Sequence, residues 1–208
     1  MSHSLPDSSH LTGQFNQRTW SATVRALATA GRNLEPEIFA HFQPHAHATA
    51  RLTRRFASFL FGGGRYRNWL DEMEYAAYMH DVGKYFIAPE ILLKPAPLDD
   101  EERTIVSLHS VYGALAISKL PGVTNIIHGV ALHHHEHWDG SGYPDGLSGT
   151  LVPLEARMVA VADVYISLRA KRSYKPMMMQ EAAFATLKQM AGRELDPYLV
   201  EDFLRAFA

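Results

Sequence analysis

YAAYMHDVGK, residues 75–84, decides how the fold is read. Leu70, Met73, Ala76, Ala77 and His80 share one face of a helix expected from about Trp69 to His80. That face is apolar until it closes on His80-Asp81, an imidazole beside a carboxylate. A buried carboxylate is expensive unless it is paired or binds a cation. A second one stands alone in the apolar run RMVAVADVYISL, at Asp163. Histidine is over-supplied: there are 12, and ten of them lie between His41 and His137.

Working outward, every segment reads as helix or loop. A helix is expected from Arg18 to Asn33, a short turn from Glu35 to Phe42, and a longer helix from Pro44 to Phe61, with Pro44 in its first turn. Leu52, Phe56, Phe59 and Leu60 give that helix its apolar spacing, and Gly62–Gly64 ends it. After the Trp69–His80 helix comes a proline-rich connection. Further helices are expected over Asp99–Leu120, Asn125–His137, Pro153–Leu168, Met178–Met190 and Pro197–Phe207. Asp99, Asp100, Glu101 and Glu102 suit a positive helix end. The stretch WDGSGYPDGLSG, from Trp138, is dense in turn formers and reads as a loop. No strand pattern competes, so the fold class is all-α, a bundle of about eight helices. Residues 1–39 are read as a partly helical N-terminal segment and 40–208 as one domain.

Composition excludes several classes. The 208 residues are 47% hydrophobic and 20% charged, with net charge −2, which fits one globular domain and no broad nucleic-acid surface. The absence of cysteine removes disulfides, thiolate metal sites and cysteine nucleophiles. No apolar run reaches the ~18 residues of a membrane span, and the N-terminus lacks the basic-then-apolar order of a secretion signal. A cytoplasmic location is the resulting expectation. Gly62–Gly64 is followed by no Gly-Lys-Ser/Thr, and no Gly-x-Ser-x-Gly elbow occurs. Imidazole and carboxylate without sulfur suit zinc, iron or manganese. Adjacent pairs such as His80/Asp81 and His134/His135 point about 100° apart on a helix, which lets two metals share a pocket across a bridging carboxylate.

These residues resemble a known family. His80-Asp81-Val82-Gly83-Lys84 is similar to the motif of the HD superfamily of metal-dependent phosphohydrolases, and HHEHWDGSGYP, from His134 to Pro144, to the hallmark of its HD-GYP branch. ILLKPAPLDDEE, ARMVAVADVY and LDPYLVEDFL resemble the connecting segment, the helix of the last metal ligand and the C-terminal helix. The resemblance covers about Ala40 to Ala208 and implies a helical HD fold. It also implies a centre of two or three divalent metals, usually iron or manganese, and hydrolysis of cyclic di-GMP to pGpG, with GMP as a further product left open.

The ligands implied by the resemblance fall on His47, His80, Asp81, His109, His134, His135 and Asp163. His45 is the fallback for His47; it follows Pro44 in the turn expected to fray. Some relatives carry a glutamate four residues before the first histidine. Here Gln43 stands there (His41 if His45 is the ligand), which favours two metals over three. Ile166 replaces an aspartate common in the family. In the implied mechanism Asp81 bridges the metals, a metal-activated hydroxide attacks phosphorus, and Lys84 meets the charge that develops on phosphate. Gly142, Tyr143, Arg172 and Lys175 are the implied substrate contacts. Two readings compete with the enzyme: a signalling module that binds the nucleotide or a diguanylate cyclase through the GYP loop, and a hydrolase of another cyclic dinucleotide. Residues 1–39 are a candidate support for a homodimer. His133 and His137, spaced i, i+4 on one expected helix, are a minor candidate for a separate site, and Asp139 is expected to brace the loop.

Overall fold

Ile38, Phe42, His45, Thr49, Leu52 and Phe56 recur at alternating steps of four and three, the period that keeps one helix face on a core. They lie on one helix, α1, Pro36–Phe61. The computed structural model describes residues 23–27, 29, 36–62, 64, 66–170 and 177–208, without the side chains of residues 36, 37, 39 and 41. Two helical pieces divided at Pro44 were expected; instead α1 runs through Pro44. The proline forfeits one backbone hydrogen bond, but Pro44 is exposed while Ile38, ahead of it, is wholly buried, so burial carries the helix across. The expected boundary at residues 39/40 therefore falls inside a continuous helix. Residues 23–27, within the expected N-terminal helix, are also helical, with Val24 and Leu27 buried.

The remaining helices follow the expected order with shifted ends, save that the proline-rich connection after His80 holds a short helix that was not expected and that the Asp99–Leu120 segment forms two helices. They are α2 (Arg67–Met79), α3 (Pro89–Leu92), α4 (Asp100–Ser107), α5 (His109–Ile117), α6 (Asn125–His133), α7 (Leu154–Arg169), α8 (Gln180–Met190) and α9 (Pro197–Phe207). Short 3-10 turns occupy Val82–Phe86 and Gly149–Leu151. The described residues contain no strand, only an isolated bridge between Ala191 and Leu195. Asp99 starts α4 with a capping box closed by Glu102. Thr124 caps α6, and Asp196 caps α9 with Pro197 in the first turn.

The expected Asp99–Leu120 helix is broken at Leu108. There the His109 ring donates to the carbonyl of Val106 (2.6 Å) and the Ser110 hydroxyl to that of Ser107 (3.0 Å), so side chains take acceptors the helix would have used. This break aims His109 inward.

The core lies where α1 packs on α2 and α7 and α2 packs on α6. Phe56, Trp69, Leu70, Met73, Met79, Ile127, Met158 and Phe203 are all essentially inaccessible there. Phe56 meets Phe203 of α9 edge-on at 5.2 Å. Arg157 of α7 donates to the Val152 carbonyl (2.9 Å), pairs with Asp196 and covers the Trp138 ring. That arrangement ties α9 and the 134–149 loop to one helix. No described helix is long and apolar enough to cross a membrane.

Candidate metal centre

Five elements deliver the site. α2 ends at His80, and Asp81 follows it into the 3-10 turn. His109 opens α5, His134 caps α6 with His135 next, Asp163 sits within α7, and α1 contributes a histidine. The 3-10 turn and α5 approach at two glycines. A Cβ added to Gly83 would lie 1.8 Å from the His109 carbonyl oxygen and 2.5 Å from the Gly113 nitrogen. Only hydrogen fits there, and this contact sets Asp81 against His109.

The histidine rings are oriented from behind. Nδ1 of His80 donates to the Ala77 carbonyl (2.7 Å), Nδ1 of His109 to that of Val106 (2.6 Å), and Nδ1 of His134 to that of Val130 (2.9 Å). A carbonyl only accepts, so each Nδ1 carries a proton and each ring turns its Nε2 inward, the atom that presents a lone pair when the imidazole is neutral.

Those lone pairs face carboxylates. Asp81 Oδ1 lies 3.2 Å from His109 Nε2 and 3.7 Å from His134 Nε2, and these two nitrogens are 3.3 Å apart. With both imidazoles neutral, as metal binding requires, these three atoms are acceptors without a donor between them. Asp81 Oδ2 faces the other way, 3.3 Å from His80 Nε2 and 2.5 Å from Lys84 Nζ. Two groups with metal-ligand reach share this residue: Asp81, His109, His134 and His135, and His45, His80 and Asp81. Asp163 Oδ1 stands 2.6 Å from His45 Nε2 and 3.7 Å from His80 Nε2.

The electrostatics ask for positive charge. Burial opposes the anionic forms of both carboxylates. Lys84 and His80 nevertheless hold Asp81 well below the usual carboxylate range, and His45 and His80 do the same for Asp163. Burial also opposes charge on His80, yet Asp81 and Asp163 outweigh it and push its pKa up to about 10. His134 is lowered by burial to about 4 despite Asp81, so it stays neutral. His80 Nε2 and Asp81 Oδ1 are buried with no hydrogen-bond partner. Native interiors seldom leave such atoms unpaired. A divalent cation would supply the missing partner, and the hard oxygen and borderline nitrogen donors fit one.

His47 takes no part in either group. Its ring lies 4.8 Å from that of Tyr78, and burial and Arg51 lower its pKa. His45 stands at the centre instead. The expectation that His45 frays rested on a helix starting at Pro44; with the start at Pro36, His45 is well inside α1 and on its core-facing stripe. His45→Ala is expected to lose one metal per chain and His47→Ala to keep both, as read by metal analysis of purified protein. The side chain of His41 lies outside the described residues. Gln43 is held by Tyr78, whose hydroxyl donates to it at 2.5 Å, and itself donates to the Tyr85 hydroxyl at 3.3 Å.

The 134–149 loop closes one side of the centre. Tyr143 stacks on His135 at 4.9 Å and 29°. Burial, then Asp81 and Asp163, push its pKa up, so it remains a phenol. Glu136, which sequence reasoning did not single out, is buried and accepts the amides of Asp145 (2.7 Å) and Leu147 (3.0 Å). Gly142 is needed because a Cβ there would lie 2.2 Å from the His137 nitrogen. Asp139 accepts the Ser141 amide at 2.9 Å. The i, i+4 pairing of His133 with His137 does not form, because α6 ends at His133 and the His137 ring bonds Ser141 instead (2.9 Å). His133 converges with Glu136 and Asp145, but both Glu136 oxygens already serve the loop amides. Ile166 packs on the core cluster from α7. Arg172 and Lys175 lie outside the described residues.

Residues 32–199 match the family model described as HD domain. The chain is 38% identical over 199 residues to a probable cyclic di-GMP phosphodiesterase of Vibrio cholerae, covering 90% of this chain and 44% of that protein. It is 36% identical over 186 residues to the 3'3'-cGAMP-specific phosphodiesterase 2 of the same organism, covering 89% of this chain and 34% of that one. The chain thus spans less than half the length of these curated relatives. Among solved structures it resembles Bd1817, an HDG"Y"P protein from Bdellovibrio bacteriovorus, with a TM-score of 0.64 at 14% identity, over 91% of this chain and 63% of that one. That likeness bears on the fold alone. With a divalent-metal His/Asp cluster built on the His80-Asp81 pair and the GYP loop leaning over it, the chain belongs to the HD-domain family and to its HD-GYP branch.

Proposed function

We propose that this chain is a metal-dependent phosphodiesterase that opens cyclic di-GMP to pGpG. The observation that carries the reading is the convergence of the Nε2 atoms of His109 and His134 on Asp81 Oδ1, while Asp81 Oδ2 serves a second group. Asp81 would bridge two divalent metals, iron or manganese. His109, His134 and His135 would hold one, and His45, His80 and Asp163 would hold the other. Such cations, when bound, supply a water acidified toward pKa ~7 and neutralise charge on phosphoryl oxygens.

The chain's own groups do the remaining work. The three backbone-anchored rings keep their lone pairs aimed, so little reorganisation is needed at the reacting centre. Lys84, bonded to Asp81 and lying 5.4 Å from the Phe42 ring centre, places a cation at the edge of the site where phosphate charge grows. Tyr143, kept neutral, offers a hydroxyl donor and an aromatic face to a nucleotide. Arg172 and Lys175 remain proposed phosphate or guanine contacts.

Incubation with cyclic di-GMP and Mn²⁺ or Fe²⁺ is expected to yield pGpG. Lys84→Ala should retain both metals and lose about 10²-fold in kcat, the scale of one electrostatic donor. The V. cholerae relative whose name carries 3'3'-cGAMP makes that hybrid dinucleotide the competing substrate. Faster turnover of it would replace cyclic di-GMP in this reading, and turnover of neither would favour the binding module.

A further inference from the structure

Glu101, Ile105, Leu108, Tyr112, Leu115 and Lys119 follow one another at steps of four, three, four, three and four through α4, the Leu108 junction, α5 and the turn just past it, and all six are exposed. This is the spacing of a helix-pairing seam. The apolar members are open to a degree unusual for their type: Ile105 40%, Leu108 38%, Tyr112 37% and Leu115 58%. The opposite face of α5 is the one that packs inward, through His109, Ser110, Gly113, Ala114 and Ile117. The outer row is therefore not a by-product of core packing.

The row is also symmetric. Glu101 and Lys119, Ile105 and Leu115, and Leu108 and Tyr112 lie nine, five and two residues either side of Ser110. An antiparallel second copy would set each Glu101 opposite a Lys119, each Ile105 opposite a Leu115 and each Leu108 opposite a Tyr112. A parallel copy would set Glu101 against Glu101 and Lys119 against Lys119. Among the described residues neither Glu101 nor Lys119 makes an ion pair within the chain. The break at Leu108 does not scramble the row: Leu108 keeps right-handed dihedrals (φ −65°, ψ −12°), and its carbonyl still accepts the Tyr112 amide at 2.9 Å.

We propose that the outer face of α4 and α5 joins two copies of this chain in an antiparallel, two-fold pairing. Such an interface is isologous and closed, so it stops at the dimer. Its axis passes beside Ser110, on the outer side of the break that aims His109 inward. The partner copy thus braces the joint that positions a residue of the metal centre. Four apolar side chains per copy make a small interface of the weak, reversible kind.

Sedimentation velocity on the full chain tests this. The wild type is expected to pass from monomer to dimer between about 1 and 100 µM, around the weak, micromolar end of what protein interfaces reach. Leu115→Glu should remain monomeric with unchanged helical circular dichroism. Glu101→Lys and Lys119→Glu should each weaken the dimer about 3–10-fold by placing like charges together at both ends. The double reversal Glu101→Lys/Lys119→Glu should restore it. A wild type that stays monomeric throughout, a dimer indifferent to Leu115→Glu, or a double reversal no better than the single ones would each overturn the proposal.

Discussion

Asp81→Asn is expected to strip the centre of metal and to lower phosphodiester hydrolysis by at least about 10²–10³-fold, the scale of losing one preorganised electrostatic element. Asp81 is the only described residue present in both ligand groups, and its two oxygens face different histidine sets. The amide keeps the size of the side chain but removes the charge, and it turns one lone-pair oxygen into a donor. Beside His109 and His134 that donor would occupy space meant for a cation. The amide also gives up the pairing with Lys84 and His80 that holds the Asp81 pKa down, so some stability is lost with the metal, although no side-chain cap hydrogen bond is broken. Metal analysis with circular dichroism separates the two effects. Normal hydrolysis by Asp81→Asn would show that the bridging role is misassigned.

Gly83→Ala should do the reverse and disrupt the fold first. Its added methyl would meet the backbone of His109 and Gly113, at 1.8 Å and 2.5 Å, and backbone has no rotamer with which to retreat. The 3-10 turn would have to move off α5, separating Asp81 from His109. Overpacking of this kind costs about 3 kcal/mol or more, a fall of about 10 °C in Tm for a chain this long. Gly129→Ala is the control. Gly129 lies within α6, and a Cβ there meets only Pro153, at 3.8 Å. It should gain about 0.5–1 kcal/mol from helix propensity. Equal melting temperatures for the two variants would remove the close-approach explanation.

Local pattern made most of the helices legible. Asp99 with Glu102, and Asp196 with Pro197, mark helix starts that the structure repeats within a residue or two. The His80-Asp81 pair and lone Asp163 were legible as chemistry because a buried carboxylate demands a partner. What could not be read depended on facing or on distance. His45 and His47 lie two residues apart, about 200° around a helix, and choosing between them requires knowing where α1 starts. A local rule for proline placed that start at Pro44, while the burial of Ile38 extended the helix upstream. The stripe Ile38–Phe42–His45–Thr49–Leu52–Phe56 carried the signal, but only if read through Pro44. The break at Leu108 arises from side chains competing for carbonyls, which helix propensity does not encode. Gly83 and Glu136 matter through contacts with residues distant in sequence or across a loop, Gly83 meeting His109 and Gly113 and Glu136 holding Asp145 and Leu147.

Anomalous diffraction from crystals of the Mn²⁺-loaded protein would address the shared carboxylate most directly. The account predicts two peaks, one on each side of the Asp81 carboxylate, the first among His109, His134 and His135 and the second among His45, His80 and Asp163. A single peak, peaks remote from Asp81, or a second peak ligated by His47 would contradict it.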